Sequence, residues 1–491
     1  MGRNVSKVEY NADDFKKFEQ ALYAQLEQFK SILKQPTFGQ GELKLGAELE
    51  LYLVNDQGQA SLSNQSLLER LNDPQFQPEL NQYNLELNLS AVPATGAPFS
   101  ALKAEMDRKI AQLRNTADQQ NVNVIPIGIL PTLDTRHLSK TCMTDLPRYH
   151  SLANHLYQHN PSGFHINIDG EEPVDFVVND ICAEGANTSF QVHMMTPFEQ
   201  FCHTFNAAQL TLPLVTAIGA NSPILLGNRL WDETRIALFK QSLDIRNRFD
   251  ANLPQPTRVS FGFGWLRHSV WELFAEAVAL HKPILADLGQ PYNGTGLPKL
   301  EALNLHIGTL WPWHRPVYDH HGKGHVRIEF RAIPAGPTHV DMLANAAFAI
   351  GLAQGMSDHV EDYLAMMPFR FAEYNFYRSA QFGLDANILW PLLNKYKPEP
   401  TPIVDVIAHF IPLAKQGLEK MGVNRLEIDL YIGIIESRLE QRITGAIWQK
   451  KTLTEFEQHL HKASACQKML SLYLANSMSG MPVSKWRKPW Q

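Results

Sequence analysis

The chain has 491 residues, 44% hydrophobic and 19% charged, with 44 Lys and Arg against 50 Asp and Glu. That length and balance specify a globular protein able to bury a sizeable core, and the net charge of −6 excludes the basic footprint of a nucleic-acid-binding protein. No apolar run approaches the ~20 residues of a membrane helix, no secretory core segment stands out, and the four cysteines (Cys142, Cys182, Cys202, Cys466) lack C-x-x-C spacing, so a cytoplasmic protein with reduced thiols is expected.

The first six residues, Met1-Gly2-Arg3-Asn4-Val5-Ser6, formally match an N-myristoylation pattern, one short enough to arise often by chance. Phe15, Phe18, Leu22, Leu26, Phe29 and Leu33 recur at helical spacing and predict an amphipathic helix over residues 12–34. A strand follows over Leu45–Val54. Its alternation puts Leu45, Ala47, Leu49, Leu51 and Leu53 on one face and Glu48 and Glu50 on the other, their Cβ atoms roughly 6–7 Å apart. Two carboxylates so close repel unless a cation lies between them or one takes up a proton; a solvated acidic face is the plainer alternative.

The same device recurs. Tyr83–Leu89 sets its leucines against Glu86, and Thr188–Met194 sets Phe190, Val192 and Met194 against Gln191 and His193. Val326–Arg331 sets its apolar residues against Arg327, Glu329 and Arg331. Between them, Phe99, Leu102, Met106, Ile110 and Leu113 mark a helix leading into a strand over Val122–Leu130. Helix starts are signalled at Thr196-Pro197-Phe198-Glu199, at Ser269-Val270-Trp271-Glu272 and at Thr338 with Asp341. The His-rich stretch Trp313–His325 reads as a hairpin loop, with a metal tract as the alternative, and Trp311 and Trp313 as a flat apolar wall near a site mouth. From Thr338 onward the chain reads mostly helical, with Pro391, Pro398, Pro400 and Pro402 marking a loop. No linker divides the chain, so a single catalytic domain over 1–491 is expected, with a sheet-bearing core at 45–337 and a helical support region at 338–491.

If these strands share a sheet, its open face gathers carboxylates, an imidazole, an amide and guanidinium groups. Oxygen ligands for Mg²⁺ beside arginines for phosphate suit ATP on a concave sheet.

In order, Gly46-x-Glu48-x-Glu50, Pro78-Glu79-Leu80 with Glu86, Pro147-Arg148-Tyr149, Gln191-x-His193, Ala220-Asn221-Ser222-Pro223, Ile328-Glu329-x-Arg331 and Ala380-x-Phe382-Gly383-Leu384-x-Ala386 resemble the type-2 glutamate–cysteine ligases, carboxylate–amine ligases of the glutamine synthetase-like superfamily. The resemblance runs from about residue 45 to about 450. It implies an α+β fold with a curved, mostly antiparallel sheet forming an active-site funnel, covered by helices. It implies ATP-driven phosphorylation of a carboxylate, glutamate's by default, followed by attack of an amine, cysteine's by default, on the acyl phosphate. Members of the family need not use cysteine, so other amine or carboxylate substrates stay open, as does a binding protein that has lost turnover. Two or three Mg²⁺ ions (or Mn²⁺) would be held by Glu48, Glu50, Glu79, Glu86, Glu329 and His193. Glu48, Glu329 and Arg331 are expected to be catalytic, and Gln191, His193, Asn221 and Arg235 to bind ATP or substrate, Arg235 through a substrate carboxylate. Plainer alternatives are a solvated loop charge for Glu79, a core histidine for His193, a structural pair with Glu329 for Arg331, a turn cap for Asn221 and a surface salt bridge for Arg235. His165 and His306 are expected on polar strand faces, without a role. Partners are small molecules, with no membrane or nucleic acid, and association into homo-oligomers is left open.

Overall fold

The alternating strands assemble into one eight-stranded sheet of an α+β fold. In the computed structural model, which describes residues 5, 7–246, 256–289, 294, 296–392 and 397–491, its path runs His314–Asp319, His325–Phe330, Phe190–Met195, Lys44–Val54, Asn84–Asn88 and Phe76–Pro78. Neighbours on this path are antiparallel. Val92–Pro93 and Asn123–Ile125 pair antiparallel with the two ends of Lys44–Val54. The myristoylation pattern lies, apart from Val5, outside the described residues.

One face of this sheet is apolar. Leu45, Ala47, Leu49, Leu51 and Leu53, with Phe190, Val192 and Met194 and with Val326, Ile328 and Phe330, are all buried. Two helices that are apolar nearly all round, Phe201–Gly219 and His339–Met356, pack against each other in this core. Gln354 on the second reaches Met194 on the sheet at 3.6 Å. Burying each such Leu, Val or Phe contributes about 1.5–3 kcal/mol, so the apolar face determines which way the sheet faces and leaves the polar set on the other side.

The first helix, Ala12–Ile32, starts at an Asn11–Asp14 capping box and buries Phe18, Leu22, Leu26, Phe29 and Ile32. Thr338 caps His339–Met356 as its spacing predicts, accepting from Asp341 N at 3.2 Å. The other two predicted starts differ. After Thr196 the chain makes a 3-10 turn, Phe198–Gln200, before the helix, and the Thr196 hydroxyl pairs with Thr204 instead of capping. At Ser269, Glu272 bonds back to the Ser269 N–H at 3.1 Å, while the serine hydroxyl accepts from Trp271, so the box closes on one side only. The strand predicted over Val122–Leu130 is only Asn123–Ile125. The proline-marked loop is a hairpin, Asn387–Leu392 with Lys397–Pro402. A two-stranded ribbon consists only of edge strands, whose outward positions need no N–H donor, so proline is tolerated there. His306 lies on the helix Glu301–Ile307, not on a strand, and His165 lies on a separate ribbon, paired with Asp175 at 2.6 Å.

Candidate active site

The strand register sets the polar face. Glu50 stands opposite Glu86; Glu48 lies between Asn88 and Gln191; His193 faces Glu329, and Glu329 faces Arg315. Directly opposed residues project to the same side, so these rows line one cavity of about 580 Å³. Glu48, Glu50, Glu79, Glu86, Gln191, His193, Glu329 and Arg331 all reach its wall, joined by Arg148, Glu184, Arg315 and Arg327.

The floor has two electrostatically different ends. At one end Glu329, fully buried, takes a bidentate fork from Arg315 (Nη2–Oε1 2.9 Å, with Nε on Oε2) and a further bond from Arg331 Nη1 at 3.1 Å. Burial alone would raise its pKa, yet the two guanidinium groups hold it at about 2. Arg331 Nη1 also donates to the side-chain amide oxygen Oε1 of Gln191, and its buried Nε has no hydrogen-bond partner among the described residues. Arg327 Nε donates to His193 Nδ1 at 3.2 Å, and His193 Nε2 lies 3.1 Å from Glu48 Oε1. A ring that accepts at Nδ1 carries its proton on Nε2, so His193 presents an N–H, not a lone pair, to Glu48. To serve as the expected cation ligand through Nε2 it must first be released by Arg327.

At the other end the carboxylates outnumber the cations. Oxygens of Glu50, Glu79 and Glu86 lie within 4.8 Å of one another. Burial and the Glu48 and Glu50 carboxylates push Glu86 up to about 7. Burial, with Glu86, Glu50 and Glu184 nearby, lifts Glu79 well above the ordinary carboxylate range. Burial likewise raises Glu50, against the pull of Arg331. The hydrogen bonds here come from neutral donors: Ser189 N (2.6 Å) and Gln191 Nε2 (2.8 Å) on Glu50, Asn88 Nδ2 (2.7 Å) on Glu86, and Leu80 N (3.2 Å) on Glu79. Three converging oxygen ligands short of positive charge fit a hard divalent cation such as Mg²⁺. Glu48 and Glu329 form a second convergent group with His193, but there the arginines already supply the counter-charge.

A profile of glutamate-cysteine ligase family 2 matches residues 44–395, from the first residue of the Glu48 strand to beyond the Phe382-Gly383-Leu384 motif. The chain belongs to glutamate-cysteine ligase family 2. No curated protein matches it in sequence. Among solved structures, the glutamate–cysteine ligase of Francisella tularensis in complex with AMP is similar at a TM-score of 0.55 and 11% identity, covering 90% of each chain. A bifunctional glutathione synthetase from Pasteurella multocida is similar at a TM-score of 0.50 and 10% identity, over 92% of this chain and 55% of that one. These likenesses establish the fold, and the α+β architecture with a curled antiparallel sheet is the one expected.

Within this family-2 chain, several expected site residues lie elsewhere. Arg235 is 2% exposed; its Nε bonds Glu233 at 2.8 Å and its Nη2 the Ala332 carbonyl at 2.6 Å. Glu233 also accepts from Asn221 N and from Ser222 Oγ. Asn221 donates to the Ala335 carbonyl and to Tyr473, fully buried. These residues form a knot that props the backbone next to Arg331, and none of them lines the cavity. Arg235, expected to grip a substrate carboxylate, has its guanidinium engaged by Glu233 and the Ala332 carbonyl in this structure. Trp313 is likewise interior, packed on Phe239 and Phe376, while Trp311 reaches the cavity wall. The His-rich stretch resolves into the edge strand His314–Asp319 and a short turn, with Asp319, His320 and His321 convergent at the turn. Arg315 lies in the stretch that reads as a hairpin loop, so its sequence context does not mark it as a site residue. The signal is its alternation, with His314, Pro316 and Tyr318 buried and Arg315, Val317 and Asp319 half-buried on the cavity side, Pro316 being admissible because the strand is at the sheet edge.

Proposed function

We propose that the chain is an ATP-dependent carboxylate–amine ligase that activates the side-chain carboxylate of an amino acid, glutamate by default, and joins it to an amine. The observation that carries this reading is the two-ended floor, an acid cluster lacking counter-charge beside a row of arginines. Glu50, Glu79 and Glu86 are suited to hold Mg²⁺, which would supply charge neutralisation for the phosphates. Phosphoryl transfer needs positioning and charge neutralisation more than covalent help from the protein. Arg331, aligned by Gln191 and Glu329 with its Nε unengaged, is placed to stabilise the transferring phosphoryl group, and Glu329 keeps Arg315 and Arg331 in register. The carboxylate oxygen attacks the γ-phosphorus and ADP leaves; the amine nitrogen then attacks the acyl carbon, and inorganic phosphate leaves.

The acceptor is less constrained than the chemistry. Leu146, Leu152, Ile181, Leu243, Ile307 and Trp311 line part of the same cavity, an apolar surface wider than a cysteine side chain requires. An amine bulkier than cysteine is the second reading. ADP release measured across amino-acid donors, with cysteine and a panel of amines as acceptors, tests both. Absence of amine-dependent ADP release removes the ligase reading, and an acceptor that exceeds cysteine tenfold in kcat/KM replaces cysteine. Glutamate labelled with ¹⁸O in its side-chain carboxylate must pass one label to the released phosphate if the acyl phosphate forms.

A further inference from the structure

The hairpin at the edge of the sheet carries a group of nitrogen and oxygen donors that the floor does not use. Its last paired residues, Asp319 and His325, stand directly opposite each other, and the turn between them holds His320 and His321. Directly opposed residues project to the same side, so His325 shares a face with Asp319. One ligand atom from each of Asp319, His320 and His321 lies within 4.8 Å of the others. His321 Nδ1 is 2.7 Å from Asp319 Oδ1, and the His320 and His321 rings pack with centroids 4.1 Å apart. His325 is near enough to interact electrostatically with both Asp319 and His321. The His321 N–H also donates to Asp319 Oδ1 at 2.9 Å, a contact that any polar turn can make. His320 and His325 have no part in that contact, and their placement is what adds a site.

The turn is anchored at both ends. Gly324 N bonds the His321 carbonyl at 3.0 Å, and Gly39 N bonds the Gly324 carbonyl at 2.9 Å, which ties the turn to the segment after the first helix. Gly324 has a φ of +70°, and a Cβ there would run into Leu297 and Phe38, so the close approach needs glycine. The donors are therefore gathered before an ion arrives. Donors around a tetrahedral ion with bonds of about 2.0–2.1 Å sit about 3.3 Å apart, a spacing that side-chain rotation at a surface turn can reach from here. The donor set also differs in kind from that of the floor. Glu50, Glu79 and Glu86 offer oxygens alone, which suits Mg²⁺; imidazole nitrogens with one carboxylate suit Zn²⁺ and its late first-row neighbours.

We infer that Asp319, His320, His321 and His325 form a second metal site, one that takes a transition ion of the Zn²⁺ class at the rim of the cavity. The inference goes beyond the ligase reading and does not depend on it. Asp319 also lies on the cavity wall, where its Oδ2 accepts from Arg327 Nη1 at 3.4 Å while Arg327 Nε donates to His193 Nδ1. An ion on Asp319 would compete with Arg327 for that carboxylate, which joins the rim electrostatically to the His193 end of the floor.

The test is calorimetric titration of the chelator-treated full chain with Zn²⁺, with excess Mg²⁺ present to compete for the oxygen ligands of the floor. One Zn²⁺ per chain is expected. His320→Asn combined with His321→Asn should weaken it at least ~100-fold and His325→Asn at least ~10-fold, since each change removes a ring nitrogen that asparagine does not replace. Glu79→Gln, on the floor, should alter Zn²⁺ affinity by less than about threefold, because the two sites share no ligand. X-ray absorption at the zinc edge of the unaltered chain needs no variant and should show nitrogen and oxygen neighbours with imidazole scattering. Zinc bound to sulfur would place the ion on the cysteines and overturns the inference. So does the absence of stoichiometric Zn²⁺ binding, binding that survives the loss of His320 and His321, or binding lost in Glu79→Gln.

Discussion

The two ends of the cavity floor hold the same residue type in opposite states. Glu329 sits between Arg315 and Arg331 and is held at about 2, whereas Glu86, with no basic partner within hydrogen-bond reach among the described residues, is pushed up to about 7. Burial raises both; the difference lies in which strand stands opposite. Arg315 faces Glu329 across one pair, and Glu50 faces Glu86 across another. One end is complete as folded. The other gathers carboxylates whose repulsion a cation would relieve, and the largest expected outcomes below turn on that asymmetry.

Chelation should have the largest effect. Turnover is expected to fall at least ~1,000-fold on exhaustive removal of divalent cations and to return with Mg²⁺ or Mn²⁺, because among the described residues Glu50, Glu79 and Glu86 take hydrogen bonds only from neutral donors. Full activity in chelator would erase the functional contrast between the ends. Glu329→Gln comes next: it uncouples two buried guanidinium groups, so a loss of about 3–5 kcal/mol in unfolding free energy and at least ~100-fold in kcat is expected. Denaturant unfolding and steady-state kinetics measure the two parts. Arg235→Ala should cost a similar 3–5 kcal/mol or so by stranding Glu233, while in Arg235→Lys the KM for the amino-acid donor should change less than about threefold. A large KM effect there would return Arg235 to the substrate site.

Glu86→Gln should do the reverse of Glu329→Gln for stability. Removing a repelling buried charge is expected to stabilise the cation-free protein by about 1–3 kcal/mol at pH 8 while still abolishing most activity. The same physics sets a pH dependence. Glu86 and Glu184 are both pushed up to about 7 from an ordinary 4.5. Below pH 4.5 both folded and unfolded forms hold the proton and the groups contribute nothing. Between 4.5 and 7 the unfolded chain gives it up first, so stability falls as pH rises, by on the order of 3 kcal/mol for each group, and the loss is complete above 7. Thermal unfolding without cations should therefore show Tm declining across this window, and saturating Mg²⁺ should flatten the decline. A Tm that rises with pH in the absence of cations would contradict the proposed acid end. The smallest effect is expected at Trp311→Ala, which should alter KM for a bulky amine by up to about tenfold and leave ATP and donor kinetics nearly unchanged.

The local part of this architecture was legible in the residues. A period of two in Lys44–Val54, Asn84–Asn88, Phe190–Met195 and His325–Phe330 separates an apolar set from a polar one, and burying the apolar set leaves only one place for Glu48, Glu50, Glu86, Gln191, His193 and Glu329. Family motifs placed those residues in order, while for the short Asn-Ser-Pro motif and Arg235 a buried structural knot and a substrate contact leave the same trace in sequence. What only the tertiary structure decided is the pairing: which carboxylate stands opposite an arginine, and which stands opposite another carboxylate. Alternation is a property of one strand and is written in its own residues. Register is a relation between strands far apart in the chain, set by how the whole apolar face packs, and the charge balance of the site follows from register.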